Sequence, residues 1–390
     1  MKSLVNSSVI IITLLSILFT TILPITYTAQ NENDDIVIGK TITINSKVLN
    51  EQRNIFIYTP VGYDQSEDKY PVIYVLDGQG NFFFSVGVAN FLARSQRMPR
   101  SIIVGIPNTD RTRDFTPVHA EEWATSGGAD NFLAFMEKEL IPYIEDNYRT
   151  HTYKTLFGHS LCGMFSIYTL FEKPDMFNSF IAVSPYLQFD NQVVLDKVET
   201  ILSERTDFKK DLFVTIGDEP DYTASLERMQ KLFSEKTKNL RWKLSERITE
   251  NHTSILLKSF YDGLEFIYSD WTVKDESIES GFDAVKKHYL SLSNKYGYDV
   301  KPNEFAINAI GYRYLGNDDY ENATEAFEYN VKLNPNSANV YDSLGETFEK
   351  TGNIEAAIVN YTMAVHNGEI LKDRNLNIFK KNLNRVSESK

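Results

Sequence analysis

Between Ile55 and Ile216 short apolar runs alternate with helical patterns, and that alternation leaves few folds open. The runs are Ile55 to Thr59, Val72 to Leu76, Ile102 to Ile106, Thr155 to Phe157, Phe180 to Val183 and Leu212 to Ile216. Between them lie stretches such as Asn131 to Asn147, where Phe132, Phe135, Met136, Leu140 and Ile144 recur at helical spacing. The reading is α/β: a mostly parallel sheet with helices on both faces. In such sheets reactive groups gather at the carboxyl ends of the strands.

One strand end carries a nucleophile signal. Thr155-Leu156-Phe157 runs into Gly158-His159-Ser160-Leu161-Cys162-Gly163, with a helix expected to begin near Met164. A sharp strand-to-helix turn of this kind lifts a serine hydroxyl above the sheet edge, and small neighbours let the helix pack behind it. Glycine also tolerates the strained backbone of such a turn. The second glycine of the usual GxSxG pattern is here Cys162, small enough for the turn to survive with slight strain. As a lone buried thiol, Cys162 reads as a small packed hydrophobe before it reads as a reactive group.

A serine nucleophile needs a base, and the chain has six histidines: His119, His151, His159, His252, His288 and His366. In the α/β-hydrolase order the acid and then the histidine follow the serine, which removes the first three. His366 lies in a repetitive tail and His288 on a connecting helix. His252 remains, after the strand-like run Trp242 to Ile248 and before the helix-like run Ile255 to Ile267, where a base can reach the serine. The orienting acid is sought at Gly217-Asp218-Glu219-Pro220-Asp221, a loop after a strand. Glu219 is the first choice and Asp221 the second, while Asp218 suits a turn that bonds its own backbone. Acyl transfer also needs two N–H groups aimed at the developing oxyanion. Leu161 supplies one, and Gln79, in the glycine-rich loop Asp77-Gly78-Gln79-Gly80, is the candidate for the other.

The tail differs. From Asn308 to Gly368 it is helical and resembles itself at a fixed offset of about 34 residues. Gly311 answers to Gly345, Tyr314 to Phe348, Tyr320 to Ile354, Ala323 to Ala357 and Phe327 to Tyr361. That is the tetratricopeptide period, with Leu333-Asn334-Pro335 between the two units. A plain helical hairpin appendage is the alternative, because such repeats normally need three or more units. The expected organisation is a signal peptide over residues 1–28, a hydrolase domain over 36–272, a docked helical connector over 273–303 and a tetratricopeptide-like region over 304–390.

Composition limits the partners. A formal net charge of −13 without a basic stripe argues against nucleic acid. Lys2, the apolar run Val9 to Ile25 and the small residues after it suggest a secretory signal, hence export to a periplasmic or extracellular space. Membrane contact follows only if that segment stays uncleaved. The single cysteine excludes an intrachain disulfide framework.

Several motifs together resemble one family. Tyr74-Val75-Leu76-Asp77-Gly78, Asn108 to Pro117 (NTDRTRDFTP), Glu139 to Ile144 (ELIPYI), the GHSLCG turn and Ser184-Pro185 are similar to the esterase D-like family of α/β-hydrolases. The resemblance spans roughly Ile38 to Trp271 and is nearest to a siderophore-esterase-like branch with a tetratricopeptide tail. It implies an esterase with a Ser-acid-His triad, a small-molecule ester substrate, and neither cofactor nor metal. By position it implies Ser160, His252 and the Gln79 and Leu161 amides. Arg111, Arg113 and Asp114 in the second motif suit either substrate charge or a clamp on their loop. The aromatics Phe82, Phe83, Phe84, Trp123, Tyr186 and Phe189, on segments expected to be specificity loops, suit a bulky or aromatic ester. Two rival functions stay open: acyl transfer to an alcohol or sugar, and an idle scaffold whose helices bind a protein partner or a second copy.

Overall fold

Eight strands make one sheet: β1 Lys40–Ser46, β2 Glu51–Tyr58, β3 Tyr70–Leu76, β4 Ile102–Ile106, β5 Thr150–His159, β6 Ser179–Val183, β7 Asp207–Ile216 and β8 Lys238–Glu246. Their order is β1-β2-β4-β3-β5-β6-β7-β8. β1 and β2 pair antiparallel, as do β2 and β4, and every later neighbour is parallel. This computed structural model describes residues 37–388, so the expected signal segment lies outside it. The sheet is the doubly covered α/β sheet expected from the alternation. β1 was not anticipated, because KTITINS alternates apolar with polar residues and lacks an apolar run.

Successive strand residues point to opposite faces, and two cores result. Tyr74, Leu76, Leu156 and Val214 face one layer, together with α3 (Ala129–Phe135), α4 (Ile141–Asn147), α5 (Leu161–Glu172), α6 (Phe189–Glu204) and α7 (Thr223–Lys236). Ile73, Val75, Phe157, Ile181 and Phe213 face α1 (Gly78–Arg94) and α8 (Leu256–Ile267). The short α2 (Arg111–Phe115) precedes α3 in the chain. The segment with Phe82, Phe83 and Phe84, expected to be a specificity loop, lies inside α1. There Phe84 packs edge-on against Phe157 and Phe260, so it is a core residue and not a pocket wall.

Seven helices follow: α9 Asp275–Glu279, α10 Phe282–Tyr296, α11 Glu304–Gly316, α12 Tyr320–Leu333, α13 Ala338–Lys350, α14 Ile354–Leu371 and α15 Leu376–Glu388. α11 and α12 repeat as α13 and α14. Gly311 lies so close to the Phe327 ring that a Cβ would sit 2.6 Å from it, and Gly345 lies against Tyr361 at 2.8 Å. The repeat spacing thus places small residues where aromatic rings need room. α10 packs onto the amino end of β5. Tyr296 lies 5.0 Å from Tyr153, 5.3 Å from Tyr268 and 5.7 Å from Trp271, and its hydroxyl donates to Asp270 at 2.9 Å. Tyr298 stacks on His151 at 3.7 Å. Leu292, Tyr296 and Val300 therefore belong to the same core as Phe157 and Ile181. Among the described residues no helix is long and apolar enough to cross a membrane.

Candidate active site

β5 stops at His159, and the chain turns at Ser160 with φ 61° and ψ −117° before entering α5. A non-glycine residue there is strained by roughly 1–3 kcal/mol, and only surrounding contacts keep it in place. The Ser160 amide donates to the Val183 carbonyl at 2.9 Å, and the Ser160 carbonyl accepts from Met164 at 2.9 Å and Tyr186 at 3.1 Å. Both glycines are sterically required. A Cβ on Gly158 would overlap the Cys162 carbonyl, and one on Gly163 would lie 2.9 Å from the Val183 carbonyl oxygen. Cys162 occupies a position with room for a side chain, which explains its presence there.

The loops after β7 and β8 bring an acid to a histidine. His252 Nδ1 hydrogen-bonds to Glu219 Oε1, while Glu219 Oε2 accepts from Ser184 Oγ at 2.5 Å and the Gly217 amide at 3.0 Å. Burial alone would raise the Glu219 carboxyl, but the bonds from Ser184, His252 and Gly217 outweigh it and hold the group below the ordinary range. Its side chain is 8% exposed against 38% for His252. With Nδ1 committed to a carboxylate, Nε2 is left as the proton acceptor. Of the other two acids, Asp218 gives its amide to the Glu250 carbonyl at 2.8 Å, and Asp221 sits in a 3₁₀ turn, Pro220–Tyr222. Neither side chain bonds His252 among the described residues.

Three neighbours escaped the sequence. His159 lies against His252 with ring centres 4.4 Å apart, and its buried Nε2 has no hydrogen-bond partner. Burial, followed by the charge of His252, lowers its pKa to about 4, so the ring is neutral at physiological pH. Tyr222 lies 5.9 Å from the His252 ring, with its hydroxyl in reach of the Ser160 and Gln188 side chains. Burial, and then the Glu219 charge, pushes that phenol up to about 12. Ser184, buried with φ 40°, supplies the hydroxyl on Glu219. Nothing in the sequence marked Tyr222, whereas Ser184 and His159 were inside quoted motifs with no role attached. From Tyr222 an aromatic wall continues to Tyr186 at 6.0 Å and Trp123 at 6.1 Å, with Phe189 edge-on to Trp123.

Gln79 and Leu161 stand in the first turns of α1 and α5. First-turn N–H groups lack an intrahelical acceptor and favour developing negative charge. Gln79 was expected on a loop. Helix α1 instead begins at Gly78, directly after Asp77 turns with φ 52°, and a Cβ on Gly78 would press within 2.6 Å of the Ile106 amide. The second motif proves to be a clamp. Arg113 pairs with Glu51 and Asp114, buried Arg53 binds Asp114 at 2.7 Å, and Arg111 binds Asp77. Cys162 is buried in the core as expected of a small packed residue, and burial pushes its thiol well above the ordinary value; its Sγ also donates to Asp77 at 3.1 Å, a bond the sequence did not suggest.

Residues 46–253, more than half of the chain, match the model of the family described as Putative esterase. The chain belongs to that family. It is 34% identical to the ferri-bacillibactin esterase BesA of Bacillus subtilis over 185 residues, which cover 41% of this chain and 62% of BesA. It therefore spans less than two thirds of that relative's length. An IroE-like serine hydrolase from Shewanella oneidensis is 29% identical with a TM-score of 0.67, covering 76% of this chain and 99% of its own. An uncharacterised protein from Capnocytophaga ochracea, 16% identical with a TM-score of 0.63, shares the fold over 90% of this chain and 99% of its own.

Proposed function

We propose that this chain hydrolyses carboxylic esters through an acyl-enzyme. The observation that carries the reading is the Glu219–His252 hydrogen bond beside a serine held on a strained turn. Ser160 Oγ attacks the ester carbonyl while His252 Nε2 takes its proton, and Glu219 fixes the ring and stabilises the imidazolium. The Gln79 and Leu161 amides bind the tetrahedral oxyanion. Collapse expels the alcohol, which takes the proton from His252, and water repeats the sequence to release the acid. Neutral His159 against the ring adds no competing positive charge.

The substrate class we favour is a bulky siderophore-type ester. Support comes from the likeness to a ferri-bacillibactin esterase and from the Trp123–Tyr186–Tyr222 wall beside the serine. We read the N-terminal segment as a secretory signal and the helical repeats as a surface for a protein partner or a second copy. Hydrolysis of p-nitrophenyl butyrate by wild type and Ser160→Ala tests the central claim. Wild-type turnover with loss in the variant is expected, and equal rates would overturn it. Product analysis with added alcohols separates hydrolysis from acyl transfer, and a panel of siderophore, acetylated-sugar and thioester substrates tests the substrate class.

A further inference from the structure

The β3–β5 ladder ends at the Val75–Phe157 pair, so the two turns beyond it are linked by side chains. Asp77, which follows β3, lies two residues before Gln79. Its Oδ1 accepts from Arg111 Nε at 2.9 Å and from Asn108 Nδ2, and its Oδ2 accepts from Arg111 Nη2 and from Cys162 Sγ, each at 3.1 Å. Arg111 Nη2 also donates to the His159 carbonyl at 3.2 Å. His159 and Cys162 flank the Ser160-Leu161 pair. One carboxylate and one guanidinium thus tie the chain just before the Gln79 amide to the chain on both sides of the Leu161 amide. A second tie runs from the Asn108 amide to Gln79 Oε1 at 3.1 Å. The Asp77 side chain is 15% exposed and Cys162 is buried, while the Arg111 side chain is 34% exposed, so the carboxylate and thiol are shielded and the guanidinium is partly open to water.

We propose that Asp77, Arg111 and Cys162 form a brace of positioning residues that sets the separation of the two oxyanion amides. The inference rests on the esterase reading above. Oxyanion donors act when held about 2.7–3.1 Å from where the oxyanion forms, and a two-point guanidinium–carboxylate pair fixes geometry as well as adding energy. Cys162 takes part because a glycine there would leave Asp77 one donor short. Its thiol fills the space beside the turn and completes the carboxylate's set of partners. The strained turns at Asp77 and Ser160 are then held by each other.

Steady-state kinetics on p-nitrophenyl butyrate test the brace, together with inhibition by octyl trifluoromethyl ketone, whose adduct places an oxyanion in the hole. Arg111→Ala is expected to lower kcat about 100-fold, and Cys162→Ala about 10-fold, with KM within twofold. Inhibition by the ketone should weaken by matching factors. Cys162→Ser keeps a donor and should stay within about threefold of wild type. A KM increase at unchanged kcat in Arg111→Ala would make Arg111 a substrate-binding group and overturn the brace. So would unchanged kcat and ketone inhibition in Cys162→Ala, which removes one atom and is the variant to rely on if Arg111→Ala does not fold. A wild-type protein that neither turns over the ester nor labels with a fluorophosphonate would instead overturn the esterase reading itself.

Discussion

The two ends of the parallel strands are built on opposite principles. At the carboxyl end, β3, β5 and β6 are each followed at once by a non-glycine residue with positive φ: Asp77 at 52°, Ser160 at 61° and Ser184 at 40°. Each is restrained by hydrogen bonds: Asp77 through Arg111, Ser160 through the Val183 carbonyl, and Ser184 through the Thr215 carbonyl at 2.7 Å and through Glu219. At the amino end the same β5 begins with His151 and Tyr153, which stack and wedge against Tyr298, Tyr268 and Tyr296. There the contacts are broad rings with apolar area. Strain is stored where directional bonds can over-determine it, and stability is gathered where area can be buried.

That contrast can be broken by experiment. Glu219→Gln should cut kcat on an ester by roughly 100- to 10,000-fold with the fold intact, because the amide carries no charge and, with its oxygen held by the Gly217 amide, turns an NH2 donor toward His252 Nδ1. Tyr296→Ala, at the other end, should lower the free energy of unfolding by about 3–5 kcal/mol in a denaturant titration while kcat stays within twofold in the folded protein. A matching loss of kcat would show the two ends to be coupled.

A titration compares the ends more finely, since each holds a histidine whose pKa is lowered to about 4, His159 and His151, in both cases chiefly by burial. Between the ordinary value near 6.5 and 4, the unfolded chain binds a proton that the folded chain refuses. Stability therefore falls as pH drops through that window, by on the order of 3 kcal/mol for His159 and by less for half-buried His151, where solvent screens the effect. His159→Asn and His151→Asn should each flatten part of the slope, read as unfolding free energy against pH, and only the first should also alter kcat. The smallest effect is expected from Asp221→Asn, within twofold in kcat, because Asp221 makes no bond to His252; a loss as large as that of Glu219→Gln would move the acid to Asp221.

The amino-acid order revealed what is local and concealed what is not. The turn around Ser160 was readable because Gly158 and Gly163 are sterically required and lie within three residues of it. His252 was picked out by chain order, and the structure sets it against Glu219. Choosing Glu219 over Asp221 depends on the 3₁₀ turn at Pro220 to Tyr222, which faces the two carboxylates differently, and no pattern in the loop encodes that. The Asp77 lattice was hidden for a different reason: its donors come from Asn108, Arg111 and Cys162, 31, 34 and 85 residues away. β1 was missed because a half-buried edge strand lacks the apolar run of a buried one.

The seating of α10 against Tyr153 and Tyr268 also gives the molecule a direction. Tyr153 lies seven residues before Ser160, so roughly 23 Å of strand separates that aromatic seat from the turn at Ser160. Whatever grips the C-terminal helices holds the molecule from behind, with the serine facing outward. Tethered by its tail to a bead or a sensor surface, the chain is then expected to keep the ester turnover proposed for the free protein.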